Sequence, residues 1–247
     1  MNSISANLNI MIKASEKASK VLIRDFGELE KLQASRNGSN DFVKNSKLKV
    51  EKIIIEELIK ARPNYSILNN NLRKINKKNL DNMWILNPIG GLKNFSHGIP
   101  HFALSIAVQS NNEIVSGLIF DPIKNELFYA EKNNGAFLNN QRIRVSKKNK
   151  VEECLFATNQ QLAKKVNIDF RKSGSAILDL AYIASGRYDG FFQKNLKLCD
   201  VAAGIILISE AGGMINEVDL DQQNNIEIIA SSHDIYQKLI NDIVCYD

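Results

Sequence analysis

The sequence has few cysteines and no long apolar run. Among its 247 residues the cysteines are Cys154, Cys199 and Cys245, which lie far apart along the chain. This spacing is neither a disulfide framework nor a zinc-binding pattern, so we expect a reduced, cytoplasmic protein. The longest apolar stretches, such as "VAAGIILI", are far shorter than a membrane span, and we expect no membrane partner.

The first twenty residues also lack the features of a secretory signal peptide. The segment "MNSISANLNIMIKASEKASK" has no basic stretch followed by an apolar block. This absence agrees with the cytoplasmic location predicted from the cysteines.

Neither sign of charge dominates strongly. The formal net charge is +5, and basic residues are spread along the chain with small clusters at 74–78 and 146–150. A solvated surface accounts for such charges. Weak affinity for an acidic partner or for nucleic acid stays open as the alternative.

The composition is that of a globular protein. Hydrophobic residues make up 44% and charged residues 24% of the chain, which is enough apolar material for a large core. We predict a single unit over residues 1–247, with approximate subdomains 1–150 and 151–247.

Helical and strand patterns alternate along the chain. Predicted helices cover 8–25, 47–61, 175–186, 200–213 and roughly 233–244, and the second of them must end before Pro63. Predicted strands cover 84–86, 101–109, 113–121, 126–131, 189–193 and 226–231, and 133–145 is predicted as a turn followed by one strand. The segment 110–112 is predicted as a hairpin turn. Ser173 or Ser175 is the expected N-cap of the third helix, and Asp200 is expected to open the fourth. The pattern indicates a layered α/β architecture with two mixed sheets.

The segment "WILNPIGGLKNF" (84–95) combines a buried strand with a tight turn. Such turns at strand ends are where α/β proteins hold ligands. This turn carries no acid, histidine or cysteine; its side-chain polar groups are Asn87, Lys93 and Asn94. The shape of the segment suggests an active site, but its residues offer no acid–base or metal chemistry.

Six segments in order identify a family resemblance. They are "GSNDFV" (38–43), "WILNPIGGLKNF" (84–95), "GIPHFALSIAV" (98–108), "DPIKNELFYAEKNNGAFLN" (121–139), "GSAILDLAYIASGRYDGFF" (174–192) and "DVAAGIILISEAGG" (200–213). Together they resemble the inositol monophosphatase family and its bacterial SuhB-type branch. The resemblance implies an αβαβα layered sandwich of the inositol monophosphatase and sugar phosphatase type. It also implies a homodimer and Mg²⁺-dependent hydrolysis of a phosphate monoester such as myo-inositol 1-phosphate.

The family holds Mg²⁺ with carboxylates, since this hard cation demands oxygen ligands in octahedral geometry. The resemblance places those ligands in Gly-Glu-Glu, Trp-x-x-Asp-Pro-x-Asp-Gly-Thr and Trp-Asp motifs. The matching positions here carry other residues: Asn70 for the Glu, Asn87 and Gly90 for the two Asp, and Leu92 for the Thr that positions water. Lys47 stands at the terminal Asp of a further family segment, which here reads "DFVKNSK" (41–47). Asp200 is the retained ligand, although Cys199 replaces the Trp before it.

These replacements remove most of the negative charge that Mg²⁺ needs. A unit-charge pair at ~4 Å and an effective dielectric near 20 is worth about 4 kcal/mol, and several such pairs are lost. We therefore expect no cofactor, with Mg²⁺ bound only if the family activity survives. Asp200 itself admits two interpretations, a helix cap or a residual cation ligand.

The resemblance also assigns a vestigial inositol phosphate site to Gly174, Ser175 and Gln193. Gln193 replaces an acid of the family's substrate site. The Ser173-Gly174-Ser175 run at a helix start either holds an anion through its backbone N–H groups or caps the helix. The segment 162–168 is shorter than its counterpart in the family, which further weakens the prediction of a substrate site.

The histidines and Arg187 offer weaker signals. His97, His101 and His233 have no Ser or Cys nucleophile at a catalytic spacing, so loop or core roles are expected. Arg187 lies in a predicted turn and serves either a partner surface or solvent.

Two functions follow. In the first, the chain has lost phosphatase activity and acts by binding; the SuhB-type branch resembles proteins that join NusA and RNA polymerase in transcription antitermination. In the second, it is an inositol-1-phosphate phosphatase with weak or altered Mg²⁺-dependent activity. The missing acids favour the first.

Overall fold

The computed structural model describes residues 4–32, 38–69, 74–75, 81–160 and 169–241. The helices in these ranges are α1 (Ala6–Leu32), α2 (Gly38–Ala61), α3 (Leu92–Ser96), α4 (Ala176–Ala184), α5 (Leu198–Glu210) and α6 (His233–Leu239), with a 3₁₀ turn at Val151–Glu153. Not one of these helices is both long enough and apolar enough to span a bilayer.

The strands form two mixed sheets. The first sheet has the order β2-β1-β3-β4-β5-β6-β7-β8 and the second the order β10-β9-β11-β13-β12. The strands are β1 (Ser66–Leu68), β2 (Lys74–Ile75), β3 (Asn82–Gly90), β4 (Ala103–Ser110), β5 (Glu113–Asp121), β6 (Glu126–Glu131), β7 (Gly135–Leu138), β8 (Gln141–Arg142), β9 (Leu155–Ala157), β10 (Asp169–Arg171), β11 (Gly190–Leu196), β12 (Met214–Ile215) and β13 (Ile226–Ser231).

The elements stack as helix, sheet, helix, sheet and helix. Helices α1 and α2 pack on one face of the first sheet, α4 and α5 lie between the two sheets, and α6 covers the second. Because α4 and α5 face apolar layers on both sides, their sequences are apolar nearly all round. The predicted αβαβα sandwich is confirmed.

The hairpin between β4 and β5 also confirms its prediction. Asn111 and Asn112 form its turn with φ of 49° and 59°, a left-handed backbone that asparagine tolerates well. The predicted strand 226–231 coincides with β13, and α2 ends before Pro63 as expected.

Several predicted boundaries were wrong. Helix α1 is longer than 8–25, and α2 begins before residue 47. The single strand predicted within 133–145 is two strands, β7 and β8, because Asn139 and Asn140 turn the chain with φ of 45° and 68°. The short strands β1, β2, β9, β10 and β12 were missed, since two or three residues carry no readable period. The end of the last predicted helix, 242–244, lies outside the described residues.

Candidate functional site

The segment 84–95, whose sequence suggested an active site, contains a longer strand than predicted. Strand β3 does not stop at Leu86; it continues to Gly90 and pairs with β4, with a register shift between Asn87 and Gly90. Pro88 lies in this irregular part, where its missing N–H removes no ladder bond. The turn follows at Gly91, whose φ of 87° leads into the unpredicted helix α3.

The Asn87 amide is fixed by two hydrogen bonds of opposite sense. Its Nδ2 donates to Asp200 Oδ1 at 2.6 Å, and its Oδ1 accepts the Ile89 N–H at 3.1 Å. The side chain is 1% exposed. If the amide were rotated by half a turn, Oδ1 would face the Asp200 carboxylate and Nδ2 would face the Ile89 N–H, and both contacts would be repulsive. The Nδ2 donor therefore faces Asp200. A metal ligand would present the opposite end.

Asp200 lies inside the first turn of α5 and is not its N-cap. The N-cap is Lys197, and Asp200 Oδ2 accepts the Lys197 N–H at 3.3 Å, as the third helical residue of a capping box does. Burial raises the pKa of Asp200 above its usual value, while the N–H donors of Lys197 and Asn87 oppose that shift. Protein donors therefore contact both oxygens of the Asp200 carboxylate.

The space beside Gly90 is filled. A Cβ built on Gly90 would lie 2.1 Å from Ile177 Cδ1 and 3.2 Å from Ile177 Cβ. Any side chain at this position must displace Ile177, which is 1% exposed in α4. Gly90 is not among the glycines with positive φ, so packing and not backbone strain bars an acid here.

Leu92 and Lys47 are placed at the edge of this site. Leu92 is the first residue of α3 and is 37% exposed, so it offers an apolar surface at the position where the resemblance implies a hydroxyl. Lys47, on α2, lies close enough for its charge to act on the Asp200 carboxylate. Asn70 lies outside the described residues. Its neighbour Asn69 is buried and donates from Nδ2 to Glu51 Oε1 at 2.6 Å, a pair that the sequence did not suggest.

This donor set does not fit Mg²⁺. One carboxylate, Asp200, faces an amide N–H and lies within range of an ammonium, and Gly90 contributes an aliphatic contact in place of an oxygen. Mg²⁺ requires near-octahedral oxygen ligands, mostly anionic or water. Within the described ranges no group of three or more His, Cys, Asp or Glu side chains is arranged for a metal ion.

The three residues assigned to the vestigial substrate site do come together. Gly174, Ser175 and Gln193 line one cavity of about 130 Å³. Ser175 is the N-cap of α4, which confirms one of the two expected caps, but it makes no side-chain cap bond. Its N–H donates to Ser173 Oγ at 3.0 Å, so this backbone donor is already engaged. The helix-cap interpretation is the better supported of the two.

Asp179 also lines this cavity and was missed by the sequence analysis. It is 3% exposed and its Oδ1 has no hydrogen-bond partner. Burial raises its pKa from 3.8 to about 7, and a hydrogen bond with Ser173 opposes the shift. The signal was an acid within the otherwise apolar run "AILDLAYIA", a pattern that indicates a buried carboxyl group.

The three histidines have the expected roles, whereas Arg187 makes contacts within the protein. His97 and His233 are exposed at helix ends, and His101 is partly buried with its ring against Tyr182, as expected for loop and core roles. Arg187 is not merely solvated. It donates two bonds to the Glu126 carboxylate and lies over the Tyr182 ring.

Comparison with known proteins connects these observations. A sequence profile of the inositol monophosphatase family matches residues 5–246. An inositol-1-monophosphatase of Rhizobium meliloti (strain 1021) is 41% identical over 230 residues, 87% of this chain and 86% of that protein. The Nus factor SuhB of Haemophilus influenzae (strain ATCC 51907 / DSM 11121 / KW20 / Rd) is 36% identical over 96% of this chain and 95% of that protein. The crystal structure of extragenic suppressor protein suhB from Bartonella henselae matches with a TM-score of 0.84 and 40% identity, over 96% of this chain and 97% of that one.

Proposed function

This chain belongs to the inositol monophosphatase family, and we propose that it has lost the family's phosphatase chemistry and acts by binding. The observation that carries the proposal is the contact between Asn87 and Asp200. An amide N–H takes the position from which a second carboxylate would share a cation, and it leaves the Asp200 carboxylate satisfied by the protein. The Ile177 side chain beside Gly90 supports the same conclusion, because it fills the space that a further acid needs.

The experiment is hydrolysis of myo-inositol 1-phosphate by the purified protein in Mg²⁺. We expect phosphate release no faster than in buffer containing Mg²⁺ alone. Turnover within the ordinary enzyme range, ~1–10³ per second, that copurifies with the chain would overturn the proposal. The Rhizobium meliloti relative, assayed in parallel, controls for substrate and buffer.

We further propose that the binding role lies in transcription antitermination, with NusA and RNA polymerase as partners, and hence in the cytoplasm. Support comes from the relatives named Nus factor SuhB, at 36% identity over most of the chain. Purified NusA and RNA polymerase, tested separately by isothermal titration, decide this part. Micromolar or tighter binding of either supports the role, and absence of binding to both contradicts it.

A homodimer is part of the same proposal, carried by the family resemblance. Sedimentation velocity at tens of micromolar distinguishes a 27.7 kDa monomer from a species of twice that mass. A monomer throughout that range would contradict the dimer without affecting the proposed loss of chemistry.

The second candidate is a phosphatase of weak or altered activity. Identity of 41% to a protein named inositol-1-monophosphatase favours it. It requires Asp200 and neutral oxygens to hold Mg²⁺ against the ammonium of Lys47, which the charge balance disfavours. Slow but Mg²⁺-dependent release in the hydrolysis assay would establish it.

A further inference from the structure

A groove of about 890 Å³ lies at the opposite end of helix α5 from the Asn87–Asp200 contact. Helix α5 carries Asp200 in its first turn and Glu210 at its last residue, so the two ends lie about 15 Å apart along the helix. The walls are the β4–β5 turn, the β6–β7 turn and the segment 215–220. The groove is therefore separate from the Asn87–Asp200 contact and from the cavity lined by Gly174, Ser175 and Gln193.

The groove is lined by both polar and apolar residues, and its apolar part, here called the floor, is aliphatic. The floor is formed by Ile205, Ile215, Val218 and Leu220, which pack on the core and remain partly exposed. Partly exposed aliphatic side chains gathered in one concavity give a surface that an apolar helix face can cover.

The rim of the groove is acidic although the chain as a whole is basic. Four carboxylates line it, from Glu113, Glu210, Glu217 and Asp219, against one ammonium, from Lys132. The local excess is three negative charges in a chain of net charge +5.

Three of these carboxylates already accept bonds within the protein, Asp219 through Oδ1 alone, which accepts the Asp221 N–H at 2.9 Å. Lys132 is paired with Glu113 at 2.5 Å, and Glu210 accepts the Asn133 and Gly135 N–H groups at 2.7 Å each. In the described part of the chain the salt bridges include neither Glu217 nor Asp219, both of which are exposed. These two carboxylates are available to a partner's cations.

The walls are held in place by hydrogen bonds. Besides the bonds that Glu210 makes to the β6–β7 turn, Asn216 joins the segment 215–220 to β13. Its Oδ1 accepts the Ile229 N–H at 2.7 Å and its Nδ2 donates to Glu227 O at 2.9 Å. A groove shaped before binding loses less conformational entropy when it is filled.

We propose that this groove docks a basic, amphipathic helical segment of a partner protein. Its apolar face covers the aliphatic floor, and its Lys or Arg side chains reach Glu217 and Asp219. The net positive charge of the chain repels such a segment elsewhere, so the acidic rim selects this place. The proposal does not depend on the loss of phosphatase chemistry.

The probe is a synthetic helical peptide of about 14 residues with leucines on one face and lysines on the other. A matched peptide with glutamates in place of the lysines is the control. Fluorescence anisotropy should show that the lysine peptide binds, that its affinity falls when salt rises from about 50 to about 300 mM, and that the glutamate peptide does not bind. Equal binding of both peptides, or of neither, overturns the proposal.

Charge reversal locates the site. Glu217→Lys with Asp219→Lys should weaken binding of the lysine peptide at least about tenfold, which corresponds to ~1.4 kcal/mol. The control pair Glu16→Lys with Glu152→Lys makes the same change in net charge at exposed positions away from the groove and should leave the affinity within about twofold. An equal loss in both pairs would show general attraction to the surface and contradict the proposal.

Val218→Asp distinguishes binding of the lysine peptide within the groove from its general attraction to negative charge. It adds a negative charge but spoils the floor, so the proposal expects weaker binding, while pure attraction predicts stronger binding. A thermal melt shows whether the variant folds; if it does not, the charge-reversal pair decides.

Sedimentation of the Glu217→Lys, Asp219→Lys variant tests whether a second copy of this chain occupies the groove instead. A changed oligomeric state would assign the groove to that second copy and overturn the choice of partner.

Discussion

At the scale of single residues, Asn87 stands where the family resemblance implies an acid. Its side chain donates a hydrogen bond to Asp200, which an ionised acid could not do. The sequence identified the position, and the structure adds that the amide donates to Asp200 and accepts from Ile89. The sequence alone could not distinguish this arrangement from an amide oxygen that faces a cation, because asparagine supplies both ends.

Asn87→Asp should therefore destabilise the protein. Two carboxylates would meet where an N–H···O bond of 2.6 Å now lies, and the buried pair cannot ionise freely. We expect a loss of about 2–4 kcal/mol in urea unfolding at pH 8 without Mg²⁺. Asn87→Ala, which removes the bonds without adding a charge, should lose only about 1–2 kcal/mol. An Asp variant as stable as the parent would contradict the contact.

Gly90 and Ile177 should be energetically coupled. Gly90→Ala places a methyl group 2.1 Å from Ile177 Cδ1, and we expect it to cost about 1–3 kcal/mol. Ile177→Ala alone should cost about 2–5 kcal/mol by opening a cavity. In the double variant the new methyl enters that cavity, so the combined loss should be smaller than the sum by about 1 kcal/mol or more.

Gly27→Ala in α1 is the control for this cycle. An added Cβ at Gly27 meets no atom within 4 Å, so the substitution should stabilise the helix by about 0.5–1 kcal/mol. Additive losses at Gly90 and Ile177 would show that the close packing described here is wrong.

At the scale of elements, long periodic segments were predictable and short ones were not. The hairpin strands β4 and β5 and the helices α2 and α4 follow from apolar spacing, asparagine turns and a helix stop before Pro63. Helix α3 was not predicted, because five residues after a glycine turn are too few to show helical periodicity. Helix α5 was placed two residues late because Asp200 suits an N-cap, whereas it acts from the third helical position.

Helix α4 carries a titratable group that gives the fold a pH dependence. Burial raises the pKa of Asp179 from 3.8 to about 7, so between these values the folded chain holds a proton that the unfolded chain has lost. The free energy of unfolding should therefore fall as pH rises through this window, by at most about 4 kcal/mol.

Asp179→Asn should reduce this slope, leaving the part that the raised pKa of Asp200 contributes, and should raise stability at pH 8 relative to the parent. Urea unfolding at pH 5 and pH 8 measures both quantities. Asp219→Asn, at an exposed position, is the control and should leave the slope unchanged. A parent slope of opposite sign, or one that is undiminished in Asp179→Asn, would contradict the assignment.

At the scale of the whole molecule, the scaffold was more predictable than the site. Six segments in order were sufficient for the αβαβα sandwich, because they carry the family resemblance that implies it. The strand and helix patterns alone predicted a layered α/β architecture with two mixed sheets. The packing of Ile177 against Gly90 could not be predicted, since it joins residues 87 positions apart across two layers. The division into subdomains 1–150 and 151–247 stays a prediction.

We infer that the pocket around Asn87 and Asp200 does not hold Mg²⁺, and the thermal melt of the wild-type protein with and without about 10 mM Mg²⁺ is the measurement that checks this. A site filled to a hundredfold excess over its Kd would add ~2.7 kcal/mol. For a chain of this length that amounts to a rise of about 5–10 °C in Tm. We predict no such rise for this chain, measured beside the Rhizobium meliloti relative as the reference. A rise of several degrees that saturates with Mg²⁺ would contradict the account and return Asp200 to the role of a metal ligand.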